Sequence, residues 1–161
     1  MVACLPRLRR YARALIGERS AADDLVQDTC ERAWTRLASW RRDSDMRAWL
    51  FGIMHNLHVD QRRKPGLITT PMNDASLDVS TRATQTDFLE IQDIEAALAQ
   101  LRVEHREVLL LVALEDMCYE EVANILGIPL GTVMSRLSRA REKMRSLMQA
   151  NGQATLLKVV K

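Results

Sequence analysis

Apolar residues recur along most of this chain at intervals of three and four, the spacing that puts them on one side of a helix. The first such segment, Leu5–Ile16, stops at Gly17, a residue suited to a helix C-terminus. A second starts near Ser20 or Asp23 and continues to about Trp40. Its apolar stripe is Val26, Cys30, Ala33 and Leu37, and Asp24, Gln27, Asp28 and Glu31 fall on the polar side. A polar connection over 41–44 leads to Asp45, a candidate N-cap. The helix it opens carries Met46, Leu50, Ile53 and Leu57 and ends in Arg62-Arg63-Lys64-Pro65.

From Pro65 to about Phe88 the periodicity dissolves into Pro65-Gly66, Pro71, Asn73-Asp74 and scattered threonines, which reads as a linker. So long a stretch without periodicity is unusual inside one compact domain and favours two. Helical spacing resumes with Ile91, Ile94, Leu98 and Leu101, followed by a thoroughly apolar run over 108–114. The expected fold is all-α: two small helical domains, 1–65 and 91–150, joined by a flexible linker at 66–90 and followed by a tail at 151–161.

The segment 119–145 carries the most specific pattern. Residues 119–126 make a short helix with Val122, Ala123 and Leu126 facing inward, and Gly127 stops it. Ile128-Pro129-Leu130-Gly131 forms a turn, with Thr132 placed to cap the next helix. That helix buries Val133, Leu137, Ala140, Met144 and Leu147 and carries Arg136, Arg139 and Lys143 along one flank, with Ser135 and Ser138 near its outer face. A helix-turn-helix of this layout can enter the major groove of DNA. Thr132, Ser135, Arg136, Ser138 and Arg139 would then meet base edges and phosphates, and Lys143 a phosphate farther along.

Composition changes this picture little and charge distribution changes it more. Hydrophobic residues make up 47% of the 161 positions, enough to bury a core. A formal net charge of +2 does not point to a polyanion partner. Residues 1–64 carry 13 Lys/Arg against 8 Asp/Glu, and 125–161 carry 7 against 1, whereas 91–124 carry 2 against 8. Two basic blocks separated by acidic ones suggest two places of polyanion contact. Cys4, Cys30 and Cys118 are far apart, and no cysteine cluster completes a site with His55, His58 or His105, so no metal or other cofactor is expected. The longest apolar run is too short for a membrane span, which implies a cytoplasmic protein.

The sequence resembles a known family at both ends. Glu121-Val122-Ala123, Leu126-Gly127-Ile128-Pro129 and the run from Gly131 through Arg141 are similar to the promoter-reading domain of extracytoplasmic-function (ECF) sigma factors, members of the sigma-70 family. Asp23-Asp24-Leu25-Val26-Gln27-Asp28-Thr29 with Ala33-Trp34 resembles that family's polymerase-docking helix. Ala48-Trp49-Leu50-Phe51-Gly52-Ile53 with Asn56, Asp60 and Arg62-Arg63 resembles its melting helix. The resemblance implies that Asp24, Gln27, Asp28 and Glu31 bind core RNA polymerase. It implies that the loop 39–45 and the following helix hold the melted minus-ten element. There Trp40 or Phe51 would offer a stacking surface, Asn56 a base-edge or backbone contact, and Arg62, Arg63 and Lys64 phosphate contacts. Trp34 and Trp49 are expected in the core. The helix-turn-helix would read the minus-thirty-five duplex, and an anti-sigma factor is the implied regulatory partner. Met134 departs from the pattern, standing where a basic residue is common.

Two other readings compete. A stand-alone helix-turn-helix regulator would explain 91–150 but leave the polar stripe at 24–31 unassigned. A helical hydrolase built on His55 and Asp60 is disfavoured, because five residues is a poor spacing for one helix face and no nucleophile or Gly-rich loop accompanies them. The chain is therefore expected not to be an enzyme.

Overall fold

A computed structural model describes residues 1–41, 44–63 and 85–159, with side chains in the last stretch described over 91–149. Its elements are α1 (Leu5–Ile16), α2 (Arg19–Thr35), α3 (Met46–Arg63), α4 (Gln85–Ala99), α5 (Val103–Ala113), α6 (Tyr119–Leu126) and α7 (Leu130–Val159), with short 3-10 turns at Val2–Cys4 and Leu37–Ser39. All regular structure among the described residues is helical, as the sequence predicts.

Local chemistry sets the helix ends. Gly17 closes α1 at φ 85° with its N–H on the Arg13 carbonyl. The Glu18 carboxylate then caps α2, accepting from the amides of Ser20 at 2.7 Å and Ala21 at 2.8 Å. Asp45 behaves as expected of a cap, accepting from the Arg47 amide at 2.8 Å. At α6, the Glu121 side chain reaches back to the Cys118 amide at 2.9 Å. Gly127, left-handed at φ 63°, ends that helix.

Four boundaries differ from the sequence reading. α2 ends at Thr35 rather than near Trp40, and Leu37 lies in the 3-10 turn, 38% exposed. α4 starts at Gln85, inside the stretch read as linker. α7 starts at Leu130, so Thr132 lies within its first turn instead of capping it. The Pro129 carbonyl takes the first helical bonds, from the amides of Thr132 and Val133. α7 also continues to Val159, through most of the expected tail.

Both halves contribute to the core. Leu8, Leu15, Leu25, Leu50 and Met54 are buried in the N-terminal half, and Val108, Leu111, Val122, Val133 and Leu137 in the C-terminal half. Burial of each such side chain contributes about 1.5–3 kcal/mol. These residues form one contiguous cluster rather than two, with α1 packed on α5 and α3 on α6. Periodicity could not have revealed that join, because it reports which face of a helix is covered and not by what.

Candidate docking and nucleic-acid surfaces

The polar side of α2 is open. Asp24, Gln27, Asp28 and Glu31 are all exposed, while Leu25, Val26, Thr29 and Ala33 on the other side are buried. Gln27 donates to Glu31 across 3.2 Å, and Asp28 accepts from Gln61 of α3 at 3.1 Å. That second bond fixes the stripe against α3. Trp34 corrects the sequence expectation. It is 69% exposed, one turn beyond Glu31, rather than packed in the core. Carboxylates and amides beside a bare indole make a surface with both charge steering and an apolar anchor, the composition of a protein-binding patch.

The elements read as the minus-ten surface divide in two. Asn56, Arg62 and Arg63 are exposed along α3, whereas Lys64 lies outside the described residues. Trp40 is half-buried beside Trp49, their rings 6.4 Å apart and tilted by 42°. The indole N–H of Trp40 is buried with no hydrogen-bond partner among the described residues. Phe51 does not offer the stacking face expected of it. It is 1% exposed and packs edge-on against Tyr11, ring centres 5.0 Å apart. Its place in the helix register, in line with the core residues Leu50 and Met54, accounts for this.

The helix-turn-helix is built as the spacing predicts. Val122, Leu126, Val133, Leu137 and Ala140 close the packing between α6 and α7. Ser135, Ser138, Arg139 and Lys143 are exposed, and Thr132 and Arg136 are half-buried at the rim. Met134 is 49% exposed among them.

The structure adds a cation that sequence reasoning missed. Arg102, just before α5 and with a 77% exposed side chain, pairs with Glu104 at 3.8 Å, and Arg102, Arg136 and Arg139 all act electrostatically on His105. Desolvation holds the His105 imidazole below its ordinary pKa. Glu104, among these cations, is held low by its backbone hydrogen bond first and by Arg102 and His105 among its neighbours. Thirty-odd residues separate Arg102 from the reading helix in sequence, so no local pattern could have joined them.

Residues 1–55 match the family model described as the Sigma2 domain of PhyR, and residues 91–144 match Sigma-70, region 4. The chain is 36% identical over 153 residues to the ECF RNA polymerase sigma factor EcfG of Rhodopseudomonas palustris, covering 94% of this chain and 84% of that one. It is 34% identical over 151 residues to the ECF RNA polymerase sigma factor SigL of Mycobacterium tuberculosis, covering 90% and 84%. Among solved structures, it is similar to the sigma factor RpoE in complex with the anti-sigma factor NepR from Bartonella quintana. The TM-score is 0.77 and the identity 35%, over 92% of this chain and 93% of that one. CnrH in complex with the cytosolic domain of CnrY gives a TM-score of 0.69 at 29% identity, over 92% and 84%.

Proposed function

The chain belongs to the ECF RNA polymerase sigma factors, and we propose that it binds core RNA polymerase through α2 and directs promoter-specific initiation through α3 and α7. In this reading Asp24, Gln27, Asp28 and Glu31 dock on the polymerase. Asn56, Arg62, Arg63 and Lys64, with Trp40, hold the melted minus-ten strand. Thr132, Ser135, Arg136, Ser138, Arg139 and Lys143 read the minus-thirty-five duplex, helped by Arg102 at a phosphate. Phe51 supports α3 from below rather than touching DNA. The functional units are residues 1–65 and 91–150, and the protein works in the cytoplasm alongside the polymerase.

One observation carries the reading. A single chain presents an acidic and amide-bearing docking stripe and a separate basic helix-turn-helix, and both are exposed. A stand-alone DNA-binding regulator has no use for the first. The proposed chemistry consists of binding and strand separation, with no covalent step assigned to this chain. An anti-sigma factor is the proposed regulator, because the relatives RpoE and CnrH were solved with NepR and CnrY respectively.

A second reading has one specific support, the match of residues 1–55 to the Sigma2 domain of PhyR. PhyR of Bartonella quintana is described as an anti-anti-sigma factor complexed with NepR. A sigma-like chain of that kind would capture an anti-sigma factor without serving the polymerase. In vitro transcription with added core polymerase separates the two. Chain-dependent transcripts with defined start sites support the sigma reading, and binding of an anti-sigma factor with no transcripts supports the other.

A further inference from the structure

The carboxylate of Glu115 is fully enclosed, its side chain 0% exposed, in the turn between α5 and α6. The Glu115 amide bonds to the Leu110 carbonyl and the Met117 amide to the Leu111 carbonyl, with Asp116 left-handed at φ 53° between them. An aspartate tolerates that conformation, and the turn is thereby held tight. A buried carboxylate needs compensating charge, since leaving one unpaired costs several kcal/mol. Among the described residues, the ion-pair partners of Glu115 all come from the other half of the chain. Arg10 Nη2 donates to Oε1 at 3.1 Å and to the Leu114 carbonyl at 3.0 Å, and Arg7 Nη1 lies 3.9 Å from Oε2. Arg47, in the first turn of α3, donates to the Glu115 carbonyl at 2.8 Å and reaches Glu121 of α6 at 3.9 Å. A second polar pair follows along the same join, His55 Nδ1 to Glu107 Oε1 at 3.3 Å.

We propose that Glu115 is an ionic latch that holds the free chain closed, with α3 pinned against the helix-turn-helix, and that its release gates the use of α3 on DNA. The gating half rests on the sigma reading above; the latch itself does not. The geometry gives the latch a direction. The α2 stripe and the outer face of α7 stay exposed in the closed form, so a polymerase can dock without opening it. The side of α3 that carries Arg47 and His55 is engaged with the C-terminal half, and the two DNA-contacting elements are held as one body. Opening returns Glu115 and its arginines to water, where each is solvated separately. The closed state is thereby the one that depends on the pairing. A docked partner that draws α3 away must break these pairs together with the apolar packing of α3 on α6.

The test uses the full-length chain as Glu115→Gln, which removes the charge, and as Arg7→Ala/Arg10→Ala, which removes the partners. Both arginines are half-exposed, so the second variant leaves each half's core untouched even if the first disturbs folding. Circular dichroism checks that helix content is kept. Small-angle scattering should then show the radius of gyration rising above the roughly 15 Å of a compact chain of this length. Amides of α3 should exchange several-fold faster, while those of α7 facing Val122 should not. An unchanged radius and unchanged α3 exchange in the double-arginine variant would overturn the latch. Core polymerase pull-down with the same proteins keeps the two ideas apart. Opening without polymerase binding by any form, wild type included, would overturn the sigma reading and leave the latch standing. Polymerase binding by all forms with no change in shape would overturn the latch alone.

Discussion

Arg106 on α5 donates through Nη1 to the carbonyl of Leu15 at the end of α1, across 2.6 Å. Its Nη2 serves the carbonyls of Ala99 and Leu101 at 2.8 and 3.1 Å, so one guanidinium satisfies three carbonyls and joins both halves of the fold. Arg106→Met keeps much of the volume and leaves those acceptors unpaired, and is expected to cost about 3 kcal/mol. Arg106→Lys should recover little of this, because an ammonium lacks the planar fork. Urea unfolding measures both, and a loss below about 1 kcal/mol in the Met variant would mean that water replaces the guanidinium.

Arg136→Ala and Arg139→Ala should each weaken binding to a cognate minus-thirty-five duplex by about 1–3 kcal/mol, with thermal stability and polymerase affinity unchanged. Fluorescence anisotropy on promoter and scrambled duplexes distinguishes the modes. Equal losses on both duplexes would assign the two arginines to phosphates.

Asp24→Arg with Asp28→Arg should do the opposite, abolishing capture of core polymerase and sparing duplex affinity. Asp28 also accepts from Gln61. Gln61→Ala therefore serves as the control, and should leave polymerase capture intact. Retained capture by the double aspartate variant would exclude the stripe as the docking surface.

Trp34→Ala is expected to cost 2 kcal/mol or about that in polymerase affinity with no fall in melting temperature, since the ring is already 69% exposed. If the melting temperature falls while affinity holds, the indole is a packing residue after all.

Most of the fold was legible in the sequence, as was the exposure of the α2 stripe and of the outer face of α7, for a physical reason. Helix starts, stops and inward faces are local consequences of glycine, capping carboxylates and three-four spacing. Val122, Leu126, Val133 and Leu137 follow from these alone. Burial of Phe51 and exposure of Trp34 depend on which neighbour covers a face, and periodicity does not encode the neighbour. The same limit hid Arg102, which shares His105 as a neighbour with Arg136, and the contacts of Glu115 with Arg10 and Arg47. Motif spacing located the second helix of the helix-turn-helix yet placed its start three residues late, because the Pro129 carbonyl stands where Thr132 was expected to cap.

Acid should destabilise the fold through His58. It is 8% exposed, its Nε2 has no hydrogen-bond partner among the described residues, and burial is the main cause that holds its pKa below the ordinary 6.5. Glu107 opposes that shift, and Arg62, His55 and Arg106 add to it. The unfolded chain then binds the proton more readily than the folded one. The contribution is fully present above about pH 6.5 and is lost as the pH falls from there toward the depressed folded value. His58→Leu should flatten that part of the profile, read as melting temperature between about pH 5 and 7.5. An unchanged slope would place the acid sensitivity in another group, with His105 next to be tested.

The length of α7 gives the reading helix an unusual mechanical setting. As one unbroken helix of 30 residues it extends about 45 Å. Val133, Leu137 and Ala140 anchor its first half in the core. Such a rod, clamped near one end, acts as a lever. A modest sideways load on its outer arm becomes torque on the clamped first half, and a tilt of about 10° would carry the far tip, about 28 Å beyond Ala140, through about 5 Å. A grip far from the bases can thus misalign the reading turn without touching a single DNA-contacting side chain.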